Sequence, residues 1–199
     1  MACAYCKRED EKRLKKVNPK DSKKLSPKQR EETYQQLKKF CTFKWIEISA
    51  DDLNRLMNDM SLNDIEAKVM AELISDLKEG DVMIDMPDRY SWTFRERMAK
   101  FGVTKFEAEH KADDRYPIVA AASICAKIMR DKKIEEIRKA TCDFGSGYPS
   151  DSKTTDALHD KALFKILIPF IRKKWKTIDD LAQTKLSFGD ESDQSEDNE

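Results

Sequence analysis

The chain has 199 residues, enough for one domain of ordinary size with its own core. Charged residues make up 38% and hydrophobic ones 39%, no run approaches the roughly 18 apolar residues of a membrane span, and no charged segment precedes an apolar stretch at the start, so a membrane protein or a secreted one is not expected. Five cysteines, Cys3, Cys6, Cys41, Cys125 and Cys142, are an odd number spread along a mid-sized chain, which favours reduced thiols in a cytoplasmic setting over a disulfide framework.

Residues 2–7 are short, apolar and aromatic, and read as a strand. Residues 7–24 form a charged connector with Pro19 inside it. Ser26, Pro27 and Gln29 then supply an N-cap, a proline at the first helical position and a capping-box partner, so a helix opens there and runs to about Phe40. Residues 42–49 alternate as a strand with one wet face, Phe43 and Trp45 opposing Thr42, Lys44, Ile46 and Ile48, and a short helix follows from Asp51. The helix over 62–78 has the clearest pattern: Ile65, Val69, Leu73, Ile74 and Leu77 lie on one stripe, and Gly80 is a natural stop.

Residues 81–86 (DVMIDM) form a strand ended by Pro87, 91–101 a helix stopped by Gly102, and 103–109 the next strand. Pro117 starts a long helix to about Lys139, whose first half is apolar or small almost all round and is therefore buried. Two helical segments lie between 153 and 186, broken near Pro169, and the chain from Gly189 onward is too polar to order. The alternation of helices and strands from residue 62 predicts an α/β fold with partly parallel pairing. The expected organisation is an α/β domain over 1–150, a C-terminal helical region over 151–188 and an acidic disordered tail over 189–199.

A formal net charge of zero conceals blocks of opposite sign. Residues 1–40 hold thirteen Lys or Arg against six Asp or Glu, residues 161–176 hold six basic residues and no acid, and residues 190–199 hold six acids and no base. Such blocks suit a polyanion-binding face plus an acidic tail, or equally a set of solvated helix faces.

Asp85 ends an apolar strand just ahead of a proline-led turn. A carboxylate there either caps the segment that follows or occupies the place where open α/β folds carry their sites. Asp113 and Asp114 lie in the next strand-to-helix turn, where two acids also suit the positive end of the helix at Pro117. Asp85 and Asp113 terminate consecutive strands, however, and in a parallel arrangement both face one edge of the sheet. Converging carboxylates suit Mg²⁺ or Mn²⁺, which take oxygen ligands together with water and substrate phosphates. Two such metals activate water and stabilise the leaving oxygen in phosphodiester cleavage. The loop Gly145-Ser146-Gly147-Tyr148-Pro149-Ser150-Asp151 is a tight exposed turn by composition, and its tyrosine is placed to stack on a sugar or base.

Two other signals are weak. Cys3 and Cys6 have CxxC spacing, but residues three apart in a strand point to opposite faces, which opposes shared zinc ligation. His159 falls on a charged helix and faces solvent.

The segments Asp21-Ser22-Lys23, DVMIDMPD at 81–88, HKADDRYPIVAAASICAKIMRD at 110–131, GSGYPSD at 145–151 and RKKWKT at 172–177 together resemble ribonuclease HII in order and spacing, most closely the archaeal members. The likeness covers about residues 1–180. It implies a ribonuclease H-like fold, a mixed sheet flanked by helices with further helices at the C-terminus. It also implies endonucleolytic cleavage of RNA in RNA–DNA hybrids and at ribonucleotides embedded in DNA, through two Mg²⁺ or Mn²⁺ ions, leaving 5′-phosphate and 3′-hydroxyl ends. By the same resemblance Asp85 and Asp113 are metal-binding catalytic acids, Tyr148 stacks on the sugar at the RNA–DNA junction, and Ser22 and Lys23 lie near the substrate backbone. Asp131 matches an acid of the buried helix, with a structural role equally open. Residues 183–188 faintly resemble a box that contacts sliding clamps.

The chain departs from the family pattern at its start. Residues 1–7 resemble the family's second strand, and neither DEAG nor GRG occurs anywhere. Two of four catalytic acids and the first, central strand are therefore expected to be missing, and the chain as written is expected to be inactive or nearly so. The alternative is a non-catalytic nucleic-acid-binding form of the same fold. A third reading, an interaction protein acting through its acidic tail, has only the tail behind it. The absent strand carries a structural expectation: residues 2–7 and 42–49 form an antiparallel pair, residues 81–86 and 103–109 a parallel pair, and a gap or an atypical pairing separates them.

Overall fold

In a computed structural model, residues 1–19, 25–75, 77, 80–174 and 178 are described. The chain divides into two compact units, one of Met1–Glu47 with Met60–Lys133 and one of Ile48–Asp59 with Ile134–Glu199.

The first unit begins with β1 (Ala2–Cys6), which pairs antiparallel with β2 (Cys41–Trp45) in the register Ala2 to Trp45 and Cys6 to Cys41. Between them, where a plain connector is expected, a 3₁₀ turn (Arg8–Asp10) leads into α1 (Glu11–Val17). The segment is helical because its residues are good helix formers, Lys15 pairs with Glu11 one turn back, and Leu14 is buried against Tyr34 and Leu37. Its apolar stripe amounts to Leu14 and Val17, too little to stand out in so charged a run. The helix α2 (Pro27–Leu37) opens on the full capping box: the Gln29 amide donates to Ser26 Oγ and the Ser26 amide donates to Gln29 Oε1. The strand expected to run to Ser49 stops at Trp45, whose ring is 49% exposed.

In the same unit, α4 (Leu62–Ser75) packs beside α5 (Ser91–Lys100), and β3 (Met83–Asp85) runs parallel to β4 (Glu107–Glu109) with Asp85 opposite Glu109. The β4 strand is shorter than the expected 103–109. The Val103 amide bonds back to Met98 O at 3.1 Å and closes the end of α5, so it is committed to the helix rather than to a ladder. A four-residue helix, α6 (Ala112–Arg115), precedes α7 (Pro117–Ala140). The small and apolar first half of α7 is buried as its composition demands, with Ala120, Ala121, Ile124 and Cys125 fully inaccessible. Ala121, Ile124 and Cys125 form a core with Leu14, Tyr34, Leu37 and Cys41, against which β1 packs, while Ile84, Met86, Phe94, Met98 and Phe106 form a second.

The two strand pairs are separate two-stranded sheets rather than one mixed sheet. Each of β1 and β3 has a single strand partner among the described residues, and both line one cleft of about 900 Å³ floored by α4 and the start of α7. Among the described residues, the gap expected beside residues 81–86 is present.

The second unit contains α3 (Ala50–Leu56), capped by Ser49, then α8 (Ser152–His159) and α9 (Lys161–Leu167). The break between the last two falls at Asp160, earlier than the expected Pro169, because the Asp160 carboxylate caps α9 by accepting from the Ala162 and Leu163 amides. Pro169 sits in a 3₁₀ turn, Ile168–Phe170. Phe144, Ala157 and Leu167 form the core of this unit. His159 is exposed. Ser22, Lys23, the segment 183–188 and the acidic tail 189–199 lie outside the described residues.

Candidate active site

Asp85 is the last residue of β3, and its carboxylate is exposed at the mouth of the cleft. Its Oδ1 accepts a hydrogen bond from the Ala112 amide at 3.0 Å. That bond draws the turn after β4 across the end of β3, and Lys111 turns the chain there with φ 54°, in the left-handed region. Asp113 follows as the second residue of α6, is 6% exposed, and lines the same cleft. The two acids read from the sequence are therefore brought together by parallel pairing and one backbone-to-carboxylate bond.

Two features near these acids carry no sequence signal strong enough to single them out. Glu109 lies opposite Asp85 in register and accepts from Tyr116 Oη and Arg115 Nη1, each at 2.6 Å. The Tyr116 hydroxyl, and after it the Arg115 guanidinium, hold the Glu109 carboxyl below the usual range, and Glu109 in turn raises the Tyr116 phenol. Its charge is consumed in fastening α6 to β4. The second is Asp88, 4% exposed, which accepts from Asn63 Nδ2 and, at 3.0 Å, from Arg97 Nε. Arg97 also pairs with Asp64. This clamp ties the loop after Asp85 to α4 and α5. Only side-chain partners distant in sequence reveal it, which is why a one-dimensional pattern does not.

Asp85 and Asp113 offer hard oxygen donors of the kind Mg²⁺ and Mn²⁺ take. Among the described residues no group of three or more His, Cys, Asp and Glu side chains is placed to hold a metal ion. The donor set fits such an ion in kind and falls short of it in number. Cys3 and Cys6 are free thiols, as are Cys41, Cys125 and Cys142, and burial pushes the Cys41 thiol up to about 12.

Asp131, on α7, accepts from Arg30 Nη1 at 2.7 Å and from Arg130 Nη1 at 3.2 Å, an anchor of α7 to α2. In the second unit, Tyr148 is 45% exposed on a loop held by side chains. The Ser146 amide donates to Asp151 Oδ2 at 2.6 Å, the Gly147 amide to Thr154 Oγ1 at 2.9 Å, and Thr154 Oγ1 to Phe144 O at 2.9 Å.

The sequence model of the family described as ribonuclease HII matches residues 1–178. The chain belongs to the ribonuclease HII family. Ribonuclease HII from Archaeoglobus fulgidus is 37% identical over 177 residues, which span 89% of this chain and 86% of that one. The solved structure of the PCNA:RNase HII complex from A. fulgidus superimposes with a TM-score of 0.82 at 36% identity, covering 93% of this chain and 89% of that one. Ribonuclease H2 from Pyrococcus horikoshii OT3 gives 0.77 at 26% identity, covering 92% and 97%. The fold is thus the ribonuclease H-like one that the motifs imply, and the ribonuclease HII family is one of hydrolases, endonucleases acting on RNA–DNA hybrids.

Proposed function

We propose that this chain supplies the Asp85–Asp113 part of an endoribonuclease site that cleaves the RNA strand of hybrids and ribonucleotides embedded in DNA. The observation that carries the reading is the Ala112 amide bonded to Asp85 Oδ1, which brings the acid at the end of β3 and the acid on α6 to one cleft. Asp85 and Asp113 would hold Mg²⁺ or Mn²⁺ there, together with substrate phosphate oxygens. Held there by Asp85 and Asp113, a pair of such ions would supply an activated water and charge stabilisation for the leaving oxygen, with 5′-phosphate and 3′-hydroxyl ends as the expected products. The residues themselves do the positioning: Asp85 is oriented by the Ala112 amide, and Asp113 is held at the N-terminal turn of α6. Tyr148 stacks on the sugar at the RNA–DNA junction, and Ser22 with Lys23 lies near the phosphate backbone. Asp131 acts structurally through Arg30.

Two carboxylates leave a two-ion site under-coordinated, so the 199-residue chain by itself is expected to show little or no cleavage of a hybrid duplex in Mg²⁺ or Mn²⁺. A chain extended upstream by a strand carrying DEAGRG should cleave, and Asp85→Asn in that extended chain should abolish the activity. Robust cleavage by the 199-residue chain would place the site elsewhere. We further propose that the C-terminal segment around residues 183–188 contacts a sliding clamp, since the A. fulgidus relative was solved in complex with PCNA. Calorimetric titration of the clamp with a chain ending at residue 182 should then show loss of binding, and equal binding would remove the contact.

A further inference from the structure

Immediately beyond the carboxylate end of β3, two aromatic rings stand in solvent. Tyr90 is 52% exposed and Trp92 63% exposed. They are stacked on one another, centroids 6.3 Å apart and planes inclined by 19°. The Arg89 guanidinium lies over the Tyr90 ring, 5.3 Å from its centre. Large aromatic side chains left in water forgo the burial that normally stabilises them, and a parallel pair joined by a cation is the arrangement that receives a third flat ring.

The platform is rigid. Asp88, one residue before it, is buried and clamped by Asn63 and Arg97, and Tyr90 leads directly into α5. Its first residue is tied to the turn that holds Asp85. His110 Nε2 lies 3.2 Å from Arg89 O, and two residues beyond His110 the Ala112 amide holds Asp85.

We propose that Arg89, Tyr90 and Trp92 form a stacking platform for an unpaired nucleobase in a single-stranded flank of the nucleic acid that the chain binds. The proposal rests on the functional reading above and adds to it a contact in the loop after β3. The charge favours this occupant over a protein surface. The three residues include a guanidinium and no acid, and every base offers a π-face to such a pair irrespective of sequence. Trp92 is the outer ring, Tyr90 the inner one, and Arg89 both polarises the stack and meets the adjacent phosphate.

The test is binding rather than cleavage, and it uses the 199-residue chain with a twelve-nucleotide oligothymidylate and no metal. Titration should quench tryptophan fluorescence. Trp92→Ala, which removes a largely solvent-exposed ring, should weaken binding roughly tenfold, within the span measured for loss of one base-stacking aromatic. Trp92→Phe should restore affinity to within about twofold of the parent, since a π-face is all the contact requires. Equal affinity for the parent and Trp92→Ala would overturn the platform while leaving the cleavage reading standing. Absence of oligothymidylate binding by the parent would overturn the platform, whereas the cleavage reading, which concerns a hybrid duplex, fails only in the cleavage assay. If Trp92→Ala changes only the sedimentation behaviour of the chain, the aromatic pair is a self-association surface and the proposal fails.

Discussion

At the scale of single residues, the loop bearing Tyr148 shows how local chemistry fixes the backbone around an exposed tyrosine. Gly145 has φ 79°, and a Cβ there would lie 2.6 Å from Asp151 Oδ2, so only glycine lets the chain pass so close to that carboxylate. Asp143 stands at the start of the same loop. Its carboxylate is held by Lys153, then by the Gly145 amide and Arg138, and these bring it from the ordinary 3.8 down to about 2. A carboxyl depressed in the folded state contributes stability that is complete above its unfolded value. That contribution is lost as pH falls from about 4 through about 2. A carbon-13 NMR titration of Asp143 should therefore show a midpoint near 2, and the Gly145 amide should shift with it. A midpoint near 3.8 would mean that the Lys153 contact is not maintained in solution.

Between elements, the decisive contact is the clamp on Asp88. One carboxylate, 4% exposed, joins the loop after β3 to Asn63 on α4 and to Arg97 on α5, and so sets where β3 delivers Asp85. Asp88→Ala removes the buried carboxylate and its hydrogen bonds to Asn63 and Arg97, while Asp64 still pairs with Arg97, so it should cost about 2 kcal/mol, the scale of a hydrogen bond to a charged group. Urea unfolding measures this directly, and a midpoint unchanged from the parent would show that the clamp is dispensable. The substitution should also weaken oligothymidylate binding, since it releases the support under Arg89 and Tyr90. By contrast, the Lys15–Glu11 pair on α1 is exposed on both sides and is expected to matter little.

Across the whole molecule, the first unit carries two short sheets where sheet proteins ordinarily have a continuous one. Both β1 and β3 line the same cleft of about 900 Å³. Strand edges without partners template pairing with other chains, and each buried unpaired backbone group costs about 1–3 kcal/mol. Several such groups rival the ~5–15 kcal/mol that holds an ordinary domain together. The 199-residue chain should therefore aggregate on mild heating, with light scattering that rises with protein concentration. A sharp, reversible melt independent of concentration would show that the cleft costs the fold nothing.

What the sequence by itself determined is whatever depends on near neighbours. The capping box at Ser26 and Gln29, the stripe of α4, the all-round apolar start of α7 and the turn chemistry of the Tyr148 loop are written in adjacent residues, and the structure has them. The placement of Asp85 at a strand end was legible because helix and strand alternate there, which favours parallel pairing; Asp113, expected at the end of the next strand, lies instead in α6, four residues after β4 stops. The separation of residues 2–7 and 42–49 from 81–86 and 103–109 followed from matching those segments to a family pattern. Only the tertiary structure decided that a charged connector is the helix α1, that β4 is three residues long, that Asp88 is buried and that Tyr90 lies against Trp92. The reason is common to all four. Leu14 gains its burial from Tyr34 and Leu37, Val103 spends its amide on Met98, Asp88 finds Asn63 across 25 residues, and the Trp92 ring stays in water because no described neighbour covers it. Each outcome is set by a partner supplied, or withheld, by the packed chain.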